Sequence, residues 1–188
     1  MKHSKRTIQE RAQSGEKLKY LFFWGNQERE VGVISKACLS QWYDAPFTHQ
    51  GHRYYTSEHW MMAEKARLFG EPETAKVIIQ TRKPGKVKAL GRQIAAFDQD
   101  VWNKHRFEIV VQGNVLKFLQ NPRLQEFILS TGYRVLVEAS PVDQIWGIGL
   151  AGHDPKARIV EEWKGENLLG FALMEVRDRL RLHLEQAV

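Results

Sequence analysis

Residues 134–150, RVLVEASPVDQIWGIGL, start as the best strand candidate in the sequence and then change character. The run VLVEA is aliphatic and largely β-branched, which is typical of a buried strand. Strand alternation places Val135, Val137 and Ala139 on one face and Glu138 on the other. The twelve residues from Glu138 contain two carboxylates, a proline, a tryptophan and two glycines. Packing alone does not call for such a turn, so we predict a strand that delivers a polar turn carrying Asp143.

Outward from this strand, the chain alternates between short strand-like segments and helical periodicity. YLFFW (20–24) and PFTHQGHRYYT (46–56) are rich in aromatic and β-branched residues and are predicted as strands. Apolar residues at helical spacing, with capping or breaking residues, predict helices from Ser57 to just before Gly70, over 73–80, around 87–94, from Asp98 to about Leu119, within 121–132, and over 169–180. The strands do not alternate regularly with the helices, so the predicted class is α+β: one compact, helix-dominated domain with a few short strands.

Charge is concentrated at the N-terminus. The 188 residues carry a net charge of +6, and residues 1–19 hold six basic against two acidic side chains. We expect a basic, flexible N-terminal arm over 1–20, the folded domain over 21–182 and a C-terminal tail over 183–188. A nucleic-acid-binding arm is an alternative role for this charge.

Cysteine usage and hydropathy suggest the compartment. The single Cys38 is expected to be a small buried hydrophobe, and no N-terminal apolar run has the length of a signal peptide or membrane span. We therefore expect a cytoplasmic protein without membrane contact.

Familiar cofactor and catalytic signatures are absent from the sequence. It contains no GxxxxGK[ST], GxGxxG, HExxH or GxSxG motif, and the GxG of WGIGL is typical of a tight turn. His49, His52 and His59 lack the spacing of a zinc site. We predict that no metal and no cofactor is required.

The remaining candidates are carboxylates and aromatic residues near the ends of elements, each with a structural alternative. Glu58 in TSEHW lies in the first turn of a helix, where its negative charge interacts favourably with the helix dipole. Asp143 after Pro141 can bond turn amides. Glu138 ends a strand, and its structural alternative is an ordinary exposed strand end. The structural alternative for Trp102 is a place in the core.

Taken together, six segments resemble one family. They are LSQWYDAPF, YYTSEHWMMAEKARLFG, AKVI, KALGRQIAAFDQDVWNKHRFEIV, LVEASPVDQIWGIG and GENLLGFALMEVRDRL. In order and spacing they are similar to the NADAR family, the YbiA-like N-glycosidases, over about residues 21–180. The resemblance implies a helix-rich α+β fold and hydrolysis of a ribosyl C–N bond. The substrates it implies are phosphoribosylated pyrimidine intermediates of riboflavin synthesis, or ADP-ribose attached to guanine or other acceptors, including ADP-ribosylated nucleic acid.

The resemblance also implies which residues act. The family's functional glutamate, tryptophan and aspartate fall on Glu58, Trp102 and Asp143, with Glu138 as a nearby second carboxylate. A carboxylate beneath C1′ stabilises an oxocarbenium-like transition state, and a second acid can protonate the departing amine. Sequence leaves the division of these roles open. For substrate binding we add Trp146 and Gly147 as pocket wall, Glu138, and the cations Lys65, Arg67, Arg92 and Arg106 as phosphate ligands, which are otherwise solvated surface residues.

Two other classes of function remain open. A noncatalytic ADP-ribose or NAD-binding module needs Trp102 and the cations but not both Glu58 and Asp143, so the presence of both carboxylates favours the enzyme. A nucleic-acid-binding protein that uses its basic arm predicts binding that is steeply salt-dependent and is lost on deletion of residues 1–19.

Overall fold

The computed structural model describes residues 2–28, 30 and 32–186. The described residues form seven α-helices and four short strands, which confirms the predicted α+β, helix-dominated class. They group into two compact units: a terminal unit, Met1–Ser40 with Arg123–Val188, and a central unit, Gln41–Pro122. This division was not predicted. The terminal unit is assembled from both ends of the chain, so no linker or shift in composition marks it.

The central unit is built around one helix. Strands β2 (Phe47–His49) and β3 (His52–Tyr54) form an antiparallel hairpin, followed by α2 (Ser57–Leu68), α3 (Pro72–Gln80), α4 (Pro84–Gly91) and α5 (Gln99–Leu119). Helix α2 packs against α3, α4 and α5. A Cβ on Gly113 of α5 would lie 2.3 Å from the Trp60 ring, so this glycine is required for the close approach of α5 to α2.

Local signals explain where these helices begin. Proline occupies the first turn of α3 and of α4, and the Asp98 side chain caps α5 by accepting a hydrogen bond from the Val101 amide at 2.8 Å. The predicted starts at Ser57 and after Asp98 are confirmed. The fourth helix ends at Gly91, so the predicted extension to residue 94 is wrong.

The terminal unit contains a two-stranded parallel sheet. It comprises α1 (Lys5–Gln13), β1 (Tyr20–Phe23), α6 (Pro122–Ser130), β4 (Val135–Glu138) and α7 (Leu168–Gln186), with short 3-10 turns between them. Strand β1 pairs with β4, Phe23 lies opposite Glu138, and α7 packs on β4. Val135, Leu136 and Val137 are fully buried, so both faces of β4 are covered. The predicted buried strand is confirmed, although alternation does not separate an inner face from an outer one.

Both chain ends are more helical than expected. In place of a flexible arm, α1 begins with a capping box at Ser4 and buries Ile8 to 1% exposure. Its single buried apolar residue is too weak a periodic signal to be recognised in sequence. Helix α7 continues to Gln186, so residues 183–186 of the expected tail are helical, while residues 1, 187 and 188 lie outside the described residues. Among the described helices, none combines the length and apolarity needed to cross a bilayer.

Candidate active site

Glu58 lies in the first turn of α2, inside the central unit. The residue is only 3% exposed, and its backbone amide donates to the Gln41 carbonyl at 3.0 Å. A glutamate that served only the helix dipole would remain in water, because burying a carboxylate costs free energy. Burial at a helix start is instead typical of carboxylates whose charge is used in a functional site.

A buried polar network fixes the start of α2. The Ser57 hydroxyl donates to Asn114 Oδ1 at 3.1 Å, and Asn114 Nδ2 donates to Gln41 Oε1 and to the Val110 carbonyl, each at 2.8 Å. Ser57, Asn114 and Gln41 are at most 7% exposed. These bonds tie Glu58 to α5 and to the segment before β2, so its backbone is held in place before any ligand binds. Sequence analysis missed Gln41 and Asn114, and the only signal was an asparagine within the apolar run of α5.

His59 has a structural role in the same turn. Its Nε2 donates to the Thr81 carbonyl at 2.7 Å, since a carbonyl can only accept, and its Nδ1 therefore accepts from the Thr56 hydroxyl at 2.8 Å. Burial lowers the pKa of His59, which agrees with a neutral ring. Across the described part of the chain, no group of three or more His, Cys, Asp or Glu side chains is arranged to hold a metal ion.

Lys65 lies on the same face of α2 as Glu58. The two residues are seven positions apart, which is about two turns and about 10 Å along the helix axis. Its Nζ donates to the Gly91 carbonyl at 2.8 Å and lies 4.1 Å from the Phe97 ring centroid and 5.5 Å from that of Trp102. Burial, and then the positive charge of Arg92, lower the pKa of Lys65. No ion pair joins this ammonium to a carboxylate of the described chain, so it can receive an anion.

The other predicted residues of the central unit are placed differently. Trp102 is 8% exposed, so most of its surface serves the core, and Lys65 Nζ lies over its ring. Arg67 is ion-paired with Glu64 and donates to the Tyr54 hydroxyl, so its guanidinium is already used within the fold. Arg92 is exposed and Arg106 is half-buried. The structure thus brings Lys65, Trp102 and the charge of Arg92 together, and it engages Arg67 elsewhere.

Asp143 holds the loop that follows β4, within the terminal unit. Its Oδ1 accepts from the Ile145 amide at 2.9 Å and from the Trp146 amide at 2.8 Å, while its own amide donates to Ser140 Oγ at 3.2 Å. Asp143 therefore bonds turn amides, as its structural alternative requires, and it does so through one carboxylate oxygen. Trp146 and Glu138, both half-buried, lie in the same loop and at its start.

Gly147 and Asn167 close this loop onto β4. A Cβ on Gly147 would lie 2.9 Å from the carbonyl oxygens of both Glu138 and Asp143, so the chain itself occupies the space beside this glycine. Asn167, which sequence analysis missed, accepts from the Glu138 amide and donates to the Leu136 carbonyl, each at 2.9 Å. It is fully buried with φ of 55°. Its only signal in the sequence was its position just before the last helix.

Known proteins similar to this chain include two that are named N-glycosidases. N-glycosidase R617 of Acanthamoeba polyphaga mimivirus is 42% identical over 165 residues, covering 85% of this chain and 95% of that protein. N-glycosidase YbiA of Escherichia coli is 28% identical over 137 residues, covering 73% and 77%. The riboflavin biosynthesis protein VVA0006 of Vibrio vulnificus is 30% identical over 145 residues, which is 77% of this chain and 36% of that protein.

The fold and the family agree with these relatives. The NMR structure of E. coli YbiA matches with a TM-score of 0.70 at 24% identity, covering 88% of this chain and 86% of that chain, and shows the same fold. The NADAR domain model matches residues 22–181. The chain belongs to the NADAR domain family, which confirms the resemblance drawn from sequence.

Proposed function

We propose that this protein is an N-glycosidase that hydrolyses a ribosyl C–N bond in a phosphorylated substrate, with Glu58 as the carboxylate at the reacting carbon. The observation that carries the proposal is the placement of Glu58, 3% exposed, on the same face of α2 as Lys65, an ammonium without a carboxylate partner in the described residues. The family membership and the names of the relatives support the general class, hydrolysis of N-glycosyl compounds.

The proposed chemistry places charge where the transition state develops it. The C1′–N bond breaks, and the nitrogen leaves with the bonding electrons as positive charge grows on C1′ and the ring oxygen. The Glu58 carboxylate stabilises this oxocarbenium-like state and orients a water molecule towards C1′. The water oxygen bonds to C1′, and its proton ends on the departing nitrogen. The products are a free ribosyl hemiacetal and a free amine or base.

Lys65 is the proposed ligand for the substrate phosphate. It lies about two helical turns from Glu58, and its half-buried position makes its charge act more strongly than that of a solvated lysine. Arg92 adds positive charge at the same place. The Trp102 ring lies beside Lys65, and we propose that it contacts the heterocycle or sugar.

Asp143 is our second candidate carboxylate. Its Oδ1 is used by two backbone amides, which leaves Oδ2 for the reaction. We retain Glu138 as the competing candidate and Trp146 as a candidate substrate contact. The roles of Asp143 and Glu138 rest on the family resemblance and are tested by substitution below, whereas that of Trp146 rests on its place in the same loop.

For the substrate, we propose phosphoribosylated pyrimidine intermediates of riboflavin synthesis first. The name of the Vibrio relative, a riboflavin biosynthesis protein, favours this choice. ADP-ribosylated guanine or other ADP-ribose adducts are the second candidate, since an adduct of this kind offers the same ribosyl C–N bond and phosphates. A noncatalytic ADP-ribose or NAD-binding module is the competing function.

A direct comparison of substrates tests the proposal. The purified protein and its Glu58→Gln variant are incubated with a phosphoribosyl aminopyrimidine and with ADP-ribosylated guanosine, and the released sugar phosphate or ADP-ribose is quantified. Thermal shifts are measured with the same compounds and with ADP-ribose and NAD. We expect release by the wild type alone. Binding of ADP-ribose or NAD without release from either substrate would favour the noncatalytic module.

A further inference from the structure

A stretch of the central unit carries positive charge that the protein does not neutralise. Between Glu73 and Asp98 the sequence has no acidic residue. It has six cations there: Lys76, Arg82, Lys83, Lys86, Lys88 and Arg92. Lys76 is paired with Glu73 at 2.7 Å, whereas the other five form no ion pair with a carboxylate anywhere in the described chain. Arg82, Lys83 and Lys86 are exposed.

This pattern differs from that of the basic N-terminal segment. There Arg6 pairs with Glu10, Arg11 with Glu16, and Lys2 with Asp178. Three of the six cations that first suggested a nucleic-acid-binding arm are therefore ion-paired within the fold. Around α4 the charge is not balanced.

Helix stability does not explain the charge around α4. Lys83 is the N-cap residue of α4 and Lys86 lies in its first turn, where no acidic residue is present. The N-terminal end of a helix is already positive, so cations there are unfavourable. An external anion would relieve this repulsion.

Aromatic rings lie between these cations. The Arg82 guanidinium carbon is 4.4 Å from the Tyr55 ring centroid, and that of Arg53 is 5.7 Å from the same ring. Lys88 Nζ lies 6.0 Å from the ring of Trp42, which is 36% exposed. A Cβ on Gly85, in the first turn of α4, would lie 3.7 Å from the Trp42 ring. The rings and cations therefore follow one another along the segment that leads into α4.

We propose that this basic α4 surface, formed by Arg53, Arg82, Lys83, Lys86 and Lys88 with the rings of Tyr55 and Trp42, binds single-stranded nucleic acid. Spaced cations bind successive phosphates, while aromatic rings and guanidinium planes stack on bases. An acidic protein would use the cations but has no need for rings between them. The inference goes beyond the proposed hydrolysis and does not depend on it, because binding is measured without turnover.

The test measures binding of a fluorescein-labelled single strand by anisotropy over a range of salt concentrations. The triple variant Arg82→Gln, Lys83→Gln, Lys86→Gln removes three exposed phosphate contacts. Each contact contributes about 0.7 to the slope of log affinity against log salt for single strands. We therefore expect the slope to fall by about 2 and the affinity near 0.1 M salt to fall by about 100-fold.

A charge-matched variant provides the control. Arg6→Gln, Lys17→Gln, Lys19→Gln removes the same charge from the N-terminal segment, and we expect its slope to equal that of the wild type. Equal losses in the two variants would show that net charge alone drives binding and would overturn the proposal. Melting curves of both variants establish that they are folded.

The aromatic part of the surface is tested separately. Trp42→Ala is expected to weaken strand binding by about 10-fold with the salt slope unchanged, because stacking on a base is lost while phosphate contacts remain. Polyglutamate at equal charge concentration should fail to displace the strand from the wild type. Displacement by polyglutamate would overturn single-stranded nucleic acid as the partner, and this result does not depend on the folding of any variant.

Discussion

Glu58→Gln is the most informative single substitution. The change keeps the side-chain volume and one carbonyl oxygen while removing the charge. Because Glu58 is 3% exposed and its backbone is held by Gln41, the substitution changes electrostatics with little room for rearrangement. Loss of one preorganised electrostatic group costs about 100- to 1,000-fold in kcat, or about 2.7–4 kcal/mol in the transition state.

Folding stability should respond much less. Glutamine keeps the side-chain volume and a hydrogen-bonding oxygen, so we expect a melting temperature close to that of the wild type. A loss of 1 kcal/mol would lower the melting temperature of a chain this size by about 2–4 °C, which is readily measured. The combination of a large kinetic loss and no thermal loss identifies a group used in the reaction.

The assay compares Glu58→Gln with Glu64→Gln in single-turnover experiments. Glu64 lies on the same helix but is ion-paired with Arg67 at the partly exposed side, so its substitution should lower the melting temperature slightly and leave kcat near the wild-type value. If Glu58→Gln retains full turnover, Glu58 is not the carboxylate at C1′. If both variants lose activity equally, the effect is structural and the assignment fails.

Four further results are expected. Lys65→Gln should raise KM for phosphorylated substrates by about 10-fold or more, with a smaller effect on an unphosphorylated analogue. Burial and the charge of Arg92 lower the pKa of Lys65, so in the wild type KM for these substrates should begin to rise with increasing pH before the ordinary lysine pKa of 10.5 is reached. Asp143→Asn should remove nearly all turnover while product binding persists, whereas Glu138→Gln should retain a rate reduced by about 10-fold; the reverse ranking in single-turnover kinetics would transfer the role to Glu138. The pKa of His59 is lowered in the folded state, so the unfolded chain binds a proton first as pH drops below 6.5. The free energy of unfolding in urea should therefore fall by up to about 1.4 kcal/mol per pH unit there, and His59→Asn should remove this slope. EDTA should leave activity unchanged, and loss restored by a divalent ion would contradict a metal-free mechanism.

Elements set by local signals were predicted from sequence. The helices beginning at Ser57 and after Asp98 were recognised because capping residues, breakers and apolar periodicity all lie within a few positions of one another. The parallel pairing of β1 with β4 was not predicted, because Phe23 and Glu138 are brought together only by the tertiary fold. Periodicity carries no information on such long-range pairing. The same limitation hid the assembly of the terminal unit from both chain ends.

The site was predicted only in part for a related reason. Family resemblance proposed Glu58, but the side chains that fix the start of its helix, Gln41 and Asn114, are 73 positions apart and become a pair only in the fold. Lys65 was one of four equivalent cations in sequence. The structure distinguishes it, because it is half-buried and has no carboxylate partner in the described residues, whereas Arg67 is held by Glu64 and Tyr54 and Arg92 is exposed.

The polar turn after β4 also has a larger structural role than the sequence suggested. Asp143 Oδ1 accepts hydrogen bonds from two amides of its own loop. A Cβ on Gly147 would lie only 2.9 Å from two carbonyl oxygens, so packing does require both residues. Loss of activity in Asp143→Ala would therefore show only that the loop had lost its two hydrogen bonds. Asparagine retains an acceptor at Oδ1 and removes the charge. If Asp143→Asn keeps both its melting temperature and its turnover, the geometry of the turn, rather than the carboxylate charge, is what residue 143 supplies.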